Sequence, residues 1–219
     1  MKVREFFGVS ESTQRAVTRL MQTSLVGLFF VGLYEGNVGI VVNAGVGVGV
    51  TQLPAILERD YEIPMDAGLT LWITAAAFLH ALGTAGLPGM SRNLYLALPW
   101  WDHVTHTLSA SLVAAAGYAT VRALDLHRDD IYLPPEFTLV FVLSFVLAFG
   151  VLWEVLEFVL GLLGDLLGGK AVLTQFGVED TMVDLVFDML GGIVVAVWGQ
   201  AHLTDVVGAM HSRFEDNSP

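Results

Sequence analysis

Long apolar runs separated by short polar breaks dominate the chain of 219 residues. Each run is close to the ~20 residues that a helix needs to cross a bilayer. Six spans are predicted, at 19–34, 37–57, 67–86, 101–124, 136–163 and 181–203. The pattern therefore predicts an all-α fold, a polytopic transmembrane helix bundle that crosses the cell membrane several times.

The break between the first two spans is the least obvious, because residues 25–57 are almost continuously apolar. One helix over that segment would be ~50 Å long at ~1.5 Å per residue, too long for a hydrocarbon core of ~30 Å. The sequence YEGN at 34–37 supplies a glycine and polar side chains, so we expect a tight hairpin there. Prolines precede the next three spans, where helix starts tolerate them: Pro64, Pro99 and the pair Pro134-Pro135.

Polar segments flank the spans at both ends. Residues 1–18 form an amphipathic N-terminal segment, and 204–219 form a polar C-terminal tail that we expect to be loose. Residues 19–203 form one six-helix transmembrane domain between them.

The distribution of Lys and Arg predicts the orientation, since cytoplasmic segments carry an excess of both. With both termini in the cytoplasm, the outer loops hold only Arg92 and Lys170. The remaining eight lie on the cytoplasmic side: Lys2, Arg4, Arg15, Arg19, Arg59, Arg122, Arg128 and Arg213. Trp100 and Trp101 then lie at the outer interface, as in an aromatic belt.

Composition narrows the classes of function. Hydrophobic residues make up 54% of the chain and charged residues 15%, which agrees with a membrane protein. The net charge of −12 excludes a basic nucleic-acid-binding surface, and the absence of cysteine excludes thiolate ligands and disulfides. An acidic excess with only two lysines is typical of a high-salt, halophile-like setting.

Carboxylates and imidazoles lie inside the predicted spans. In span four, Asp102 and His106 share one helix face because they are four residues apart. In span five, the sequence LWEVLEF places Glu154 and Glu157 in the outer third of the helix. Span six carries three aspartates on one face at i, i+4 and i+8, namely Asp180, Asp184 and Asp188. His80 lies near the outer end of span three.

The topology brings these groups to one outer layer of the bundle. An ionised carboxylate at the centre of a membrane helix costs ~2.5–3.5 kcal/mol on insertion scales. No Lys or Arg within the spans is placed to pair with Glu154, Glu157, Asp184 or Asp188. Protons, bound cations or a wet cavity must therefore neutralise them.

Plainer roles exist for three of these residues. His80 fits a histidine hydrogen-bonded in the core, whereas Asp102 and Asp180 fit helix caps. His103 points about 100° away from the face that Asp102 and His106 share, so it ranks below His106.

Carboxylates with one or two imidazoles suit a divalent metal cation, and Mg²⁺, Mn²⁺, Ca²⁺ and Zn²⁺ all remain open. The expected ligands come from Asp102, His106, Glu154 and Asp184, with His80 and Asp180 as further candidates. Glu157 or Asp188 is then the catalytic base. Without a metal, crowded carboxylates that share protons suit a proton or cation pathway.

Three motifs in order resemble those of VanZ-like membrane proteins: Asp102-x3-His106, Glu154-x2-Glu157 and Asp184-x3-Asp188-x2-Gly191. The match is closer still to the YjdF-like inner-membrane proteins. In those proteins a histidine-bearing helix precedes the D-x-x-x-H helix, and His80 is the corresponding histidine in this sequence. A D-T-x-x-D motif follows later in the chain, which corresponds here to Asp180 to Asp184. The resemblance covers about residues 50–200. It departs from VanZ where Glu157 replaces glutamine, Asp188 replaces asparagine and His103 replaces lysine.

The VanZ resemblance implies a role in the cell envelope, because VanZ proteins are associated with glycopeptide resistance. Together these features predict a metal-dependent enzyme that acts on a lipid-linked or cell-envelope substrate at the outer leaflet. Membrane lipid is the expected surrounding partner. A proton or cation transporter and a structural or accessory membrane protein are the alternatives.

Overall fold

The computed structural model describes residues 9–87, 89–90, 92–127, 132–166, 172–173 and 175–216. Within these residues the chain forms nine helices and no strand. They are α1 (Glu11–Glu35), α2 (Val38–Val50), α3 (Leu53–Tyr61), α4 (Ala67–Ala85), α5 (Leu94–Ala97), α6 (Trp101–His127), α7 (Pro135–Leu166), α8 (Val178–His202) and α9 (Thr204–Asp216). The predicted all-α membrane bundle is confirmed.

Among the described residues, five helical segments are long and apolar enough to cross a membrane. They are Glu11–Glu35, Val38–Tyr61, Ala67–Ala85, Pro135–Leu166 and Val178–Gly199. The predicted fourth span corresponds to α6, whose 27 residues are long enough to cross but carry more polar side chains. Because α6 packs against α4, α7, α8 and α9, much of its surface faces protein instead of lipid.

The hairpin expected at residues 34–37 is present. Gly36 ends α1 in the left-handed region at φ 63°, and its N–H bonds to the carbonyls of Gly32 and Leu33. Asn37 caps α2, since its side chain accepts a hydrogen bond from the Ile40 N–H. A residue without Cβ enters that region at no steric cost, which explains the glycine.

The second predicted span is wrong as a single helix. It divides at Thr51 and Gln52 into α2 and α3. Pro54 lies in the first turn of α3, where its missing N–H costs nothing, whereas inside a continuous helix its ring would clash with the carbonyl of Val50. The two helices together still form one apolar segment, Val38–Tyr61.

The chain ends also differ from expectation. α1 begins at Glu11, eight residues before the predicted span, because the Ser10 side chain caps it by accepting from the Thr13 N–H at 3.2 Å. Residues 1–8 of the predicted amphipathic segment lie outside the described residues. The segment expected to be a loose tail forms α9, which packs on α6 and buries Val206 and Val207.

Candidate metal centre

Two side chains of α6 begin the site. α6 starts at Trp101, directly after Pro99 and the turn in which the Trp101 N–H bonds to the Leu98 carbonyl. Asp102 and His106 are therefore in its first two turns, one turn apart on the same face. Their side chains approach to 3.6 Å between Asp102 Oδ1 and His106 Nε2.

Carboxylates from α7 and α8 complete the site. Glu154 of α7, together with Asp184 and Asp188 of α8, is at least 95% buried. Thr181, in the first turn of α8, donates a hydrogen bond to Glu154 Oε2 at 2.7 Å. Glu154 is thus level with the start of α8, so the site lies near one end of the bundle.

Glycines allow the three helices to approach this closely. A Cβ added to Gly191 of α8 would lie 2.5 Å from the Thr107 carbonyl oxygen of α6. A Cβ added to Gly150 of α7 would overlap Asp188 Oδ2. Any side chain at either position would push the helices or the carboxylate away.

The imidazole of His106 lies among all four carboxylates. Its Nε2 is 3.6 Å from Asp102 Oδ1 and 4.0 Å from both Glu154 Oε1 and Asp184 Oδ2. Its Nδ1 is 3.1 Å from Asp188 Oδ1, within hydrogen-bond distance. One ring nitrogen thus faces three carboxylates, and the other is held by the fourth.

Several buried oxygens of this site have no hydrogen-bond partner among the described residues. They are Glu154 Oε1 and both carboxylate oxygens of Asp184. Buried polar groups are normally paired, and an unpaired one costs about 1–3 kcal/mol. Oxygens left bare in a buried anionic cluster are what a bound cation would need.

The electrostatic balance is strongly negative. In the described part of the chain, His106 is the only basic side chain within 4.0 Å of the four carboxylates.

The geometry fits a metal ion. Asp102, His106 and Asp184 each offer one ligand atom, and these atoms all lie within 4.8 Å of one another. Ligands ~2.0–2.2 Å from a shared ion are at most about 4.4 Å apart. These three residues could therefore hold one ion after small side-chain adjustments.

Other predicted site residues lie outside that group. Both ring nitrogens of His80 are engaged, Nε2 with Asn43 Oδ1 at 3.1 Å and Nδ1 with the Tyr95 hydroxyl at 2.9 Å. The contacts of His80 agree with a histidine hydrogen-bonded in the core. Asp180 is the third residue of α8 and accepts from the Phe176 N–H at 3.3 Å, whereas Gly177 is the residue that caps the helix. The role expected for Asp180 as the helix cap is wrong, because α8 begins two residues before it.

Glu157 and His103 lie beside the cluster and have partners of their own. Glu157 is half-buried and accepts from Trp153 Nε1, on its own helix, at 3.0 Å. His103 stacks on Phe187, with ring centroids 4.2 Å apart, in keeping with its lower rank.

Sequence reasoning missed the residues that support the site. Thr181 is three residues before Asp184 and so on the same face of α8, a spacing that was available in the sequence. Gln175 donates to Thr181 Oγ1 at 2.8 Å from the loop before α8, and no sequence signal marks it. The need for glycine at position 150 can be recognised only from the structure, in which Asp188 lies against it.

Comparison with known proteins gives the family. No curated protein and no solved structure has a significant match to the chain. The finer resemblance to VanZ-like and YjdF-like proteins stays a prediction, because no match carries either name. A family model does match residues 16–205, most of the chain and all of the helices that build the site. This multi-pass membrane protein belongs to the family described as "Predicted membrane protein (DUF2238)".

Proposed function

We propose that the protein binds a divalent cation between Asp102, His106, Glu154 and Asp184, and that it is a metal-dependent enzyme of the outer leaflet. Its substrate is a lipid-linked or cell-envelope molecule. The observation that carries the proposal is His106 Nε2 within 4.0 Å of three carboxylates from three helices. A buried donor set of this kind would bring ligands together around one ion with little rearrangement.

Charge supports a dication over a monocation. With His106 neutral, as a metal-ligating imidazole is, four ionised carboxylates leave the site with four negative charges. Each costs ~2.5–3.5 kcal/mol at the centre of a membrane helix, and less near the interface. A dication offsets two of these charges, where a monocation offsets one, and it also gives the bare oxygens of Glu154 and Asp184 a partner.

The donor set narrows the choice of ion. Three carboxylate oxygens and one imidazole nitrogen suit Mn²⁺ or Zn²⁺, whereas Mg²⁺ and Ca²⁺ take mostly oxygen ligands. Such an ion supplies a Lewis acid for a phosphoryl or carbonyl oxygen. Asp188 holds the His106 ring in place, and Glu157, one turn from Glu154 on α7, remains the candidate base.

Metal analysis of the purified protein tests the proposal. We expect stoichiometric Mn²⁺ or Zn²⁺ after dialysis against each ion, and its loss in Asp184→Ala. Asp165→Ala is the matched control, because Asp165 is an exposed carboxylate elsewhere on α7. Equal metal content in the two variants would refute Asp184 as a ligand, and no metal in the wild type with either ion would refute metal binding.

The same variants separate the alternative functions. A proton or cation transporter would give pH-driven flux in liposomes that Glu154→Gln abolishes, without bound metal. A purely structural cluster would give neither metal nor flux, and Glu154→Gln would raise the stability of the protein.

A further inference from the structure

A groove of about 220 Å³ lies beside the cluster, between α7 and the start of α8. One stripe of α7 and two polar residues line it: Val151, Glu154, Val155, Phe158, Gln175 and Thr181. The apolar residues of the stripe are about half exposed on a helix long enough to span the membrane. The groove therefore opens toward the lipid.

The size of the groove indicates what fits in it. Sites that enclose a whole drug-sized ligand measure about 300–1,000 Å³. At about 220 Å³ and open on one side, the groove would hold only part of a molecule, with the rest outside. A hydrocarbon chain that continues into the bilayer meets that condition.

The lining of the groove is amphipathic. Val151, Val155 and Phe158 provide an apolar wall, whereas Glu154, Gln175 and Thr181 provide a polar end. Glu154 also lies 4.0 Å from His106 Nε2, so the polar end meets the metal cluster. Its Oε2 is bound to Thr181, and its buried Oε1 has no hydrogen-bond partner among the described residues.

We propose that this groove receives the first carbons of the hydrocarbon chain of a lipid phosphate, whose phosphate group reaches the metal beside Glu154. The proposal rests on the metal site proposed above. A phosphate could not approach four carboxylates unaided, but hard divalent ions bind carboxylates and phosphate together. The bilayer is both the source of the occupant and the medium into which its chain extends.

Photolabelling in vesicles tests the groove directly. The protein is reconstituted with Mn²⁺ in phosphatidylcholine containing a phosphatidic acid with a diazirine near the head of one chain. We expect labelled peptides from 151–158 of α7. A diacylglycerol with the same diazirine chain and no phosphate should label that segment much less.

Two substitutions on α7 form a matched pair. Val155→Trp fills the groove and should remove most of the labelling, while the metal content stays at the wild-type level. Leu156→Trp is the control, since Leu156 is similarly exposed but does not line the groove, and its labelling should equal that of the wild type.

The outcomes separate the two proposals. Undiminished labelling of Val155→Trp, or equal labelling by the diacylglycerol, overturns the groove proposal and leaves the metal site intact. Metal absent from the wild type, with phosphatidic acid still labelling the groove, overturns the metal site and the phosphate–metal contact together.

Discussion

At the scale of single residues, the two nitrogens of His106 have different partners. The Asp188 carboxylate accepts a hydrogen bond from the Nδ1–H group of His106. The other ring nitrogen, Nε2, therefore faces Asp102, Glu154 and Asp184. Metal-ligating histidines commonly donate their second N–H to a carboxylate, which fixes the ring orientation and the tautomer. Asp188, expected from the sequence as a candidate base, is therefore better placed to orient His106.

Replacing Asp188 tests that role. We expect Asp188→Leu to weaken Mn²⁺ or Zn²⁺ affinity about 10- to 100-fold, as loss of such partners does. Asp188→Asn keeps an acceptor for Nδ1 and should lose much less. Isothermal titration calorimetry with each ion measures the metal affinity of both variants. Equal affinity for Asp188→Leu and the wild type would contradict an orienting role.

His80 belongs to a separate hydrogen-bond network whose tautomer can be deduced. The Asn43 amide nitrogen donates to the carbonyls of Gly39 and Val172, so its Oδ1 is the acceptor for His80 Nε2–H. His80 Nδ1 then accepts from the Tyr95 hydroxyl. A neutral histidine with both nitrogens occupied has no lone pair free for a metal.

We accordingly expect His80→Ala to keep the bound metal of the wild type. It should lower the unfolding free energy by about 1–3 kcal/mol, because Asn43 and Tyr95 each lose a partner. Metal content and thermal unfolding in detergent are measured on the same sample. Loss of the metal with unchanged unfolding would place His80 among the ligands instead.

At the scale of helices, the site depends on how closely α7 approaches α8. The Cβ of Gly150→Ala would overlap Asp188 Oδ2 and force that carboxylate to move, so we expect a loss of about 1–3 kcal/mol in stability, together with weaker metal binding. Gly161→Ala on the same helix meets nothing within 4 Å and is the control. Matching melting temperatures for the two variants would contradict close packing at Gly150.

Helices were predictable where one local signal decides the structure. The hairpin at Gly36 follows from glycine chemistry, and α4 begins at Ala67 because the Asp66 side chain caps it by accepting from the Leu69 N–H. The break before Pro54 was not foreseen, because the apolar pattern of α2 continues through it into α3. α9 was missed for the opposite reason: its sequence is mostly polar, and only the packing of Val206 and Val207 on α6 accounts for its burial.

The residues of the candidate site were predictable from the sequence, whereas the contacts between them were less so. Helical spacing is enough to pair Asp102 with His106 and Asp184 with Asp188. The separation of His80 depends on Asn43, a contact between residues 37 positions apart that no periodicity encodes.

At the scale of the whole molecule, the orientation in the membrane is a prediction from the Lys and Arg distribution. Because the chain has no cysteine, a reagent that labels a single-cysteine variant reports only on the position of the introduced cysteine. Leu96 is exposed near the start of α6, and Ser212 is exposed on α9, whose His211 lies against Leu126 at the other end of α6.

We expect an impermeant maleimide to label Leu96→Cys in intact cells and Ser212→Cys only after permeabilisation. The reverse pattern would place the metal site on the cytoplasmic side of the membrane and move the proposed substrate to the inner leaflet.

The order of helices in the site has a consequence for biogenesis. α6, α7 and α8 are consecutive, so a ribosome delivers Asp102, His106 and Glu154 to the membrane before Asp184 exists. A nascent chain that ends after α7 therefore lacks the surface on which Gly150 packs, and its Glu154 has no Thr181 to bind. Arrival of α8 completes the polar core in one step, so chains truncated before it should remain with the insertion machinery or be degraded.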